Sequence, residues 1–470
     1  MKLPVIALRN LSRQKRRTVL LGGALAFGML ILTVVNGLVG GIVLSMETNF
    51  SNVAVGQIFF AEVEKGDKGR LIYSIKDDRY LLDTVAKLGI RTTYLARRTM
   101  HSGILVYRGD STMRGLSGID WKEEAAFAGN LEFLAGSAEG MAGSDGIVIP
   151  LNAAEKIGLV PPEQPDAKTR KAWNKLDENA RAQARAAWDK ARAEALRLAV
   201  GETVLVELPT IHGQQNLGEF RVKGVYRGRF DFYAYTDRTF LNKLMTLPEN
   251  GYNQFGMFLA KFSEIEPTTL SLHRALRSRY DLVPLESCAG KGFETIVADL
   301  NKTGFSGSKF IITNINNELG SFKNIFNAVQ LAALGFFLVL LCVIMVGITN
   351  TFRIVVYERT REIGTMRALG MQRKAVRGLF LLEALFLSLG GVAAGFLLAA
   401  AVLAVVSRIR WNIIAELSFF FDKGRLLVSL DPVLLIATVF IVSGVTLLAA
   451  LVPARKAARL EPAQALRTQF

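Results

Sequence analysis

The sequence has two cysteines, three histidines and twelve prolines in 470 residues. Cys288 and Cys342 cannot build a disulfide framework, and Cys342 lies in an apolar run, poorly placed to pair with Cys288. His101, His212 and His273 are too few and too scattered for a metal centre and read as ordinary surface or core residues. No G-x-x-x-x-G-K-S/T motif occurs, so the phosphate cradle and magnesium hydroxyl of a P-loop are missing. No nucleophile–base pair or metal cluster suggests itself either. The chain reads as a non-enzyme with no cofactor of its own. Excess acid is also missing: the net charge is +16 and the pI about 9.8.

Apolar residues are plentiful, at 50% of the chain with a mean hydropathy of +0.28. That excludes a disordered or collagen-like chain and argues against a wholly soluble enzyme. Four stretches, 18–44, 326–351, 379–406 and 431–452, have the roughly 20 apolar residues that cross a bilayer. The first is too long for a secretory signal and reads as a signal-anchor helix.

The positive charge sits beside these stretches. Segments 1–17, 352–378 and 453–470 hold seventeen Lys and Arg against three acids, so they carry +14 of the net +16. Lys and Arg are retained on the cytoplasmic side. Both termini and the 352–378 loop are therefore expected inside, with 45–325 and a short loop, 407–430, outside. This topology signal accounts for nearly all the excess charge and leaves no basic groove for nucleic acid. The fold class expected is an α-helical integral membrane protein of four spans, with a large mixed α/β extracytoplasmic domain between the first and second.

Within 45–325, strand patterns are expected at 57–64, 103–107, 146–150, 202–208, 220–226 and 309–313, and helices at 80–88, 151–158 and 267–280. No internal repeat is visible. Residues 161–198 stand apart: Pro161, Pro162 and Pro165 lead into an Ala-, Lys-, Arg- and Glu-rich stretch. There Trp173, Leu176, Ala180, Ala184, Trp188, Ala191 and Leu198 recur at helical spacing. Unbroken, this helix would reach roughly 50 Å; a bend near Asn179 would make a hairpin. It is either an insertion packed on the domain or an arm that touches a partner.

Two cytoplasmic segments carry the functional signal. In the 352–378 loop, Ile363, Met366 and Leu369 recur at intervals of three, and Glu358 with Arg361 and Arg359 with Glu362 form i,i+3 pairs that support a short surface helix. A charged helix between two spans is suited to docking on a soluble protein, although a solvated positive-inside loop has the same pattern. Gly364 and Gly370 would loosen or end it. Glu383 lies about one turn inside the third span, where the helix N-terminus and the interface favour an anion. Gly37 with Gly41, and Gly391 with Gly395, are small-xxx-small pairs that let helices approach closely, a dimer seam included.

The run E-R-T-R-E-I-G-x-x-R-A-L-G at 358–370 resembles the hallmark of FtsX-like permeases, as does L-x-E-A at 381–384. The closing P-A-R-x-A-A-R-L-x-P-x-x-A-L-R at 453–467 and the opening A-L-R-N-L-x-R-x-K-R-R-T at 7–18 are similar to the same family's ends. The layout of one helix, a large domain and three helices is also that family's. The resemblance implies a membrane subunit of a type VII ABC transporter, a dimer with a second copy or a paralogue. Two copies of a separate P-loop ATPase, which binds ATP and magnesium, would grip the segment between the second and third spans. Glu358, Arg361, Glu362, Ile363, Met366, Arg367 and Leu369 are the expected coupling contacts, the apolar members filling an ATPase groove.

Among the family's branches, lipoprotein-releasing permeases are most similar, through the long first span and Asn36-Gly37 before an apolar run. That implies extraction of lipoproteins from the outer leaflet of a bacterial inner membrane toward a periplasmic acceptor. Cargo acyl chains would enter among membrane lipids along Leu30, Val34, Val35 and Leu38, facing Leu334, Phe337, Leu338 and Leu341. A tripartite efflux permease, or a non-transporting transducer that activates cell-wall hydrolases, are the other branches.

Overall fold

A computed structural model of the chain describes residues 3–66, 71–227, 232–411, 415–422 and 424–461. The elements fall into two compact units, a helical one and an α/β one.

The helical unit opens with an amphipathic helix, Leu3–Arg13, followed by four helices long and apolar enough to cross a membrane. These are Lys15–Val53, Gly320–Glu358, Arg373–Arg408 and Pro432–Arg459, here M1 to M4. Each runs past the apolar stretch expected from the sequence. A helix of 39 residues is about 58 Å long against a hydrocarbon core of about 30 Å, so M1 and M2 carry extra turns. M4 was expected to stop at 452 but continues through Pro453, which is buried inside it. Asp431 caps the start of M4 by accepting from Val433 N–H.

Leu21, Leu25, Met29 and Leu32 of M1 pack with Phe337, Leu341 and Ile344 of M2, Phe380 and Leu387 of M3, and Val442 and Ala450 of M4. Thr349 Oγ1 of M2 reaches the Ala449 carbonyl, and Ser388 of M3 bonds Ser443 of M4. The outward faces are apolar too, with Val19, Phe27, Val343, Leu397 and Phe440 all more than half exposed. A helix apolar all round belongs in lipid. The short loop before M4 contains a 3-10 turn, Ala415–Phe420.

The glycine pairs act within the chain. A Cβ on Gly391 would stand 2.9 Å from the Gly22 carbonyl, and one on Gly395 would stand 2.3 Å from that of Ala26. M3 and M1 therefore touch backbone to backbone along this row. Gly37 meets Leu403 and Leu430 side chains, and Gly41 lies against the Leu427 carbonyl. A dimer seam is thus not their use; both rows are filled by the same chain.

The α/β unit has eleven strands among the described residues: β1 Ile58–Lys65, β2 Leu71–Tyr73, β3 Thr92–Tyr107, β4 Asp110–Ile119, β5 Glu132–Gly136, β6 Gly146–Pro150, β7 Thr203–Pro209, β8 Gln215–Arg227, β9 Tyr233–Asp237, β10 Gln254–Leu259 and β11 Ser308–Asn314. Their order is β11-β1-β10-β3-β4-β9-β6-β8-β5, with β7 bridging β3 and β8. Strands β3, β4, β9, β6, β8 and β7 pair in a closed circuit, a six-stranded barrel that leaves no free edge among them. Leu105, Leu116, Ile147, Val204, Val206, Phe220 and Val222 fill it.

Strand β3 was expected over 103–107 but spans sixteen residues, because its first half pairs with β10 and its second with β4. The first half reads T-T-Y-L-A-R-R-T, and its two arginines hide the strand pattern. Arg108 and Gly109, both at positive φ, turn β3 into β4. The helix expected at 267–280 begins earlier and ends earlier, at Ile265–Leu276.

The 161–198 insertion is a hairpin of Ala167–Trp173 and Glu178–Ala199. The break falls at 174–177 rather than at Asn179, because Asp177 caps the second helix by accepting from Ala180 N–H. The Trp173 and Trp188 rings meet edge to face at 6.1 Å, and Trp188 Nε1 donates to the Pro162 carbonyl. Leu198 does not join this contact and is 68% exposed.

Candidate functional site

M2 ends at Glu358, and after Arg359 the chain turns into a nine-residue helix, Thr360–Ala368. Gly370 at φ +94 stops this helix, and M3 begins at Arg373. Its two faces are chemically distinct. Ile363 is 1% exposed and belongs to the bundle core, with Met366 packed against the same cluster. Ile363 is therefore not a surface contact, which corrects the expectation that it fills a partner's groove; its apolar spacing serves the chain's own core. Arg361 and Glu362 are exposed, Leu369 is 88% exposed, and Arg367 is half-buried.

A chain of ionic contacts fixes this helix. Arg359 Nε donates to Glu362 Oε2 at 2.9 Å, and its Nη1 donates to Glu383 Oε1 of M3 at 3.2 Å. The same Glu383 oxygen accepts from Asn10 Nδ2 of the N-terminal helix at 2.5 Å. Glu383 is 4% exposed, so these two donors supply the pairing that a buried carboxylate requires. One carboxylate thus joins three segments: the N-terminal helix, the M2 end and M3.

Glu358 was expected to pair with Arg361. It instead forms a two-point contact with Arg17 at the foot of M1, at 2.6 and 2.7 Å. Two parallel hydrogen bonds from one guanidinium fix the geometry as well as the charge. Both groups are solvated, so the contact orients more than it stabilises.

Asn10 and Arg359 were not among the expected site residues. Arg359 was visible only as a helix pair. Asn10 and Glu383 are 373 residues apart, and no local pattern links them.

Among the residues expected to guide cargo, Leu30, Val34, Val35, Leu38 and Leu334 are half-buried, and Leu338 is 42% exposed. Phe337 and Leu341 are buried against M1, where Gly28 lets the Phe337 ring approach. In this chain those two are packing residues rather than an open path. Residues 462–467 of the closing motif lie outside the described residues; Pro453, Ala454, Ala457 and Ala458 are buried in the bundle.

Four helices long and apolar enough to cross a membrane, a short helix packed on their bundle and a separate α/β unit define a multi-pass membrane protein. Residues 334–462 match the family described as FtsX-like permease C-terminal, the stretch that holds the 358–370 and 381–384 motifs. The chain is 28% identical over 180 residues to the ABC transporter permease YtrF of Bacillus subtilis, covering 38% of this chain and 40% of that one. It is 37% identical over 124 residues to the macrolide export ATP-binding/permease protein MacB of Brucella abortus, covering 26% and 17%. The chain thus spans less than half the length of these curated relatives. The solved periplasmic region of MacB from Actinobacillus actinomycetemcomitans overlaps 59% of this chain and 96% of its own, at 14% identity and a TM-score of 0.30, which decides nothing about the fold.

Proposed function

We propose that this chain is the membrane subunit of an ATP-driven type VII ABC transporter in a bacterial inner membrane. Its termini and coupling helix face the cytoplasm, and its α/β domain faces the periplasm. A separate P-loop ATPase, in two copies on a permease dimer, binds ATP and magnesium and docks on the coupling helix. The observation that carries this reading is the two-faced helix 360–368. Ile363 and Arg359 bind it to the bundle, while Arg361, Glu362 and the neighbouring Leu369 are offered outward. Motion of a docked ATPase then passes into M2 and M3 instead of bending a free loop.

The test exchanges the outward residues. The double variant Arg361→Glu, Leu369→Glu is expected to weaken association with the cognate ATPase at least tenfold, about 1.4 kcal/mol or more, with an unchanged melting profile. Co-purification at the wild-type level would refute the docking face. Ile363→Glu is not a substitute, since it places a charge in the core.

For cargo, the reading is lipoprotein extraction, supported by the long apolar M1, Asn36-Gly37 and the exposed Leu338. Val34→Asp and Leu338→Asp are each expected to abolish lipoprotein release from spheroplasts while the ATPase complex still assembles; unaltered release would remove this path. A second reading, efflux of small molecules or peptides through a periplasmic adaptor, is favoured by the relatives named as macrolide exporters.

A further inference from the structure

Strand β3 leaves one sheet and joins the next between Arg98 and Thr99. Beside this crossing the α/β unit has a cleft of about 690 Å³, within the range of small-molecule sites. Its lining is partly apolar and aromatic, with Phe59, Tyr73, Met113, Tyr233 and Phe293. The same lining holds two carboxylates beside Phe293, Glu294 in the first turn of the helix Phe293–Thr303 and Glu318 just before M2.

Several other polar groups around the cleft are committed. Asn253 both donates to and accepts from the Met100 backbone. The Arg114 guanidinium donates to the Met113 carbonyl and to Asn152 Oδ1. His101 Nδ1 contacts the Ser102 carbonyl. Lys291, the nearest lysine in sequence, is paired with Asp299. Of the two carboxylates, only one Glu318 oxygen has a hydrogen-bond donor among the described residues, the Phe293 N–H. Burial pushes the Glu318 carboxyl up to about 7, with Glu294 adding to the rise. Burial also pushes the Tyr233 hydroxyl to about 12, reinforced by both carboxylates. Burial thus dehydrates Glu318 while Glu294 is exposed, and the two carboxylates outnumber the one guanidinium, Arg114, of the described cleft lining.

We propose that this cleft binds a hydrophobic organic cation, its apolar body on the aromatic lining and its charge against Glu318 and Glu294. The lining supplies ring faces that attract a cation, and the carboxylates supply the opposite charge. An anion of the same shape meets an excess of like charge, two carboxylates against Arg114, and a neutral molecule leaves Glu318 unpaired. Binding is a property of this domain and does not depend on the transport reading.

Tetraphenylphosphonium and its isosteric anion tetraphenylborate separate charge from shape. The full chain in phosphatidylcholine nanodiscs, dialysed against empty nanodiscs, is expected to take up the phosphonium saturably at one per chain, with no excess uptake of the borate. Glu318→Gln, which keeps an acceptor for Phe293 N–H, and Phe293→Ala are each expected to weaken uptake at least tenfold. Glu294→Gln, on an exposed turn, gives a smaller loss and serves if Glu318→Gln does not fold. Equal uptake of both ions, no saturable uptake, or wild-type affinity in both carboxamide variants overturns the proposal. The assay contains no ATPase, so its failure leaves the coupling reading standing.

Discussion

Glu124→Gln is expected to cost the α/β domain about 3–5 kcal/mol, because it leaves a buried guanidinium without its counter-charge. Arg98 is 0% exposed and Glu124 only 4%. Arg98 Nη2 donates to Glu124 Oε2 at 2.7 Å and Nε to the same carboxylate at 3.1 Å, while Nη1 reaches the Ala54 carbonyl just past the end of M1. The guanidinium also lies 4.4 Å from the centre of the Phe127 ring. Removing one charge strands the other in a medium where it cannot be hydrated. The paired replacement Arg98→Met, Glu124→Leu removes both charges and is expected to recover most of the loss. Thermal or denaturant unfolding of the full chain reads the difference. A Glu124→Gln transition at the wild-type midpoint would show that water reaches the guanidinium.

Gly395→Ala is the second large effect. Its methyl group would stand 2.3 Å from the Ala26 carbonyl and 2.8 Å from Met29 Cβ, so M1 and M3 must separate. Overpacking of this kind costs about 1–3 kcal/mol, and more where the obstacle is backbone. The expected result is a lowered melting point and a loss of monodisperse protein in detergent. Gly390 on the same helix has open space where its Cβ would be. Gly390→Ala is expected to be neutral or slightly stabilising, since alanine is the better helix former. Equal behaviour of the two variants would mean that M1 and M3 do not meet along the 391–395 row.

The four spans were legible in the sequence because apolar runs of that length have few other uses. The 360–368 segment was legible as a helix, through its Arg359–Glu362 pair and its three-residue apolar spacing. Its orientation was not. Ile363 and Leu369 are both apolar members of the same three-residue spacing, yet one is buried and the other almost fully exposed. Periodicity finds a stripe without saying which neighbour it meets. Glu358 illustrates the same limit: its nearest partner in sequence was Arg361, and its actual partner, Arg17, is 341 residues away. In the α/β domain, β6 was legible because a short run with both faces buried reads as continuous apolar sequence. Strand β3 was half-hidden, since the buried Arg98 looks like a loop residue until Glu124 is placed beside it. The cleft had no signature at all, as its lining comes from strands and turns scattered between Phe50 and Glu318.

The sharing of Glu383 has a mechanical consequence. A carboxylate that serves Asn10 and Arg359 together acts as a rivet through three plates. A tug on the coupling helix must carry the N-terminal helix and M3 with it, or shear the rivet and leave an ion bare in the protein. The assembly should therefore yield in one step at a threshold load rather than stretch gradually.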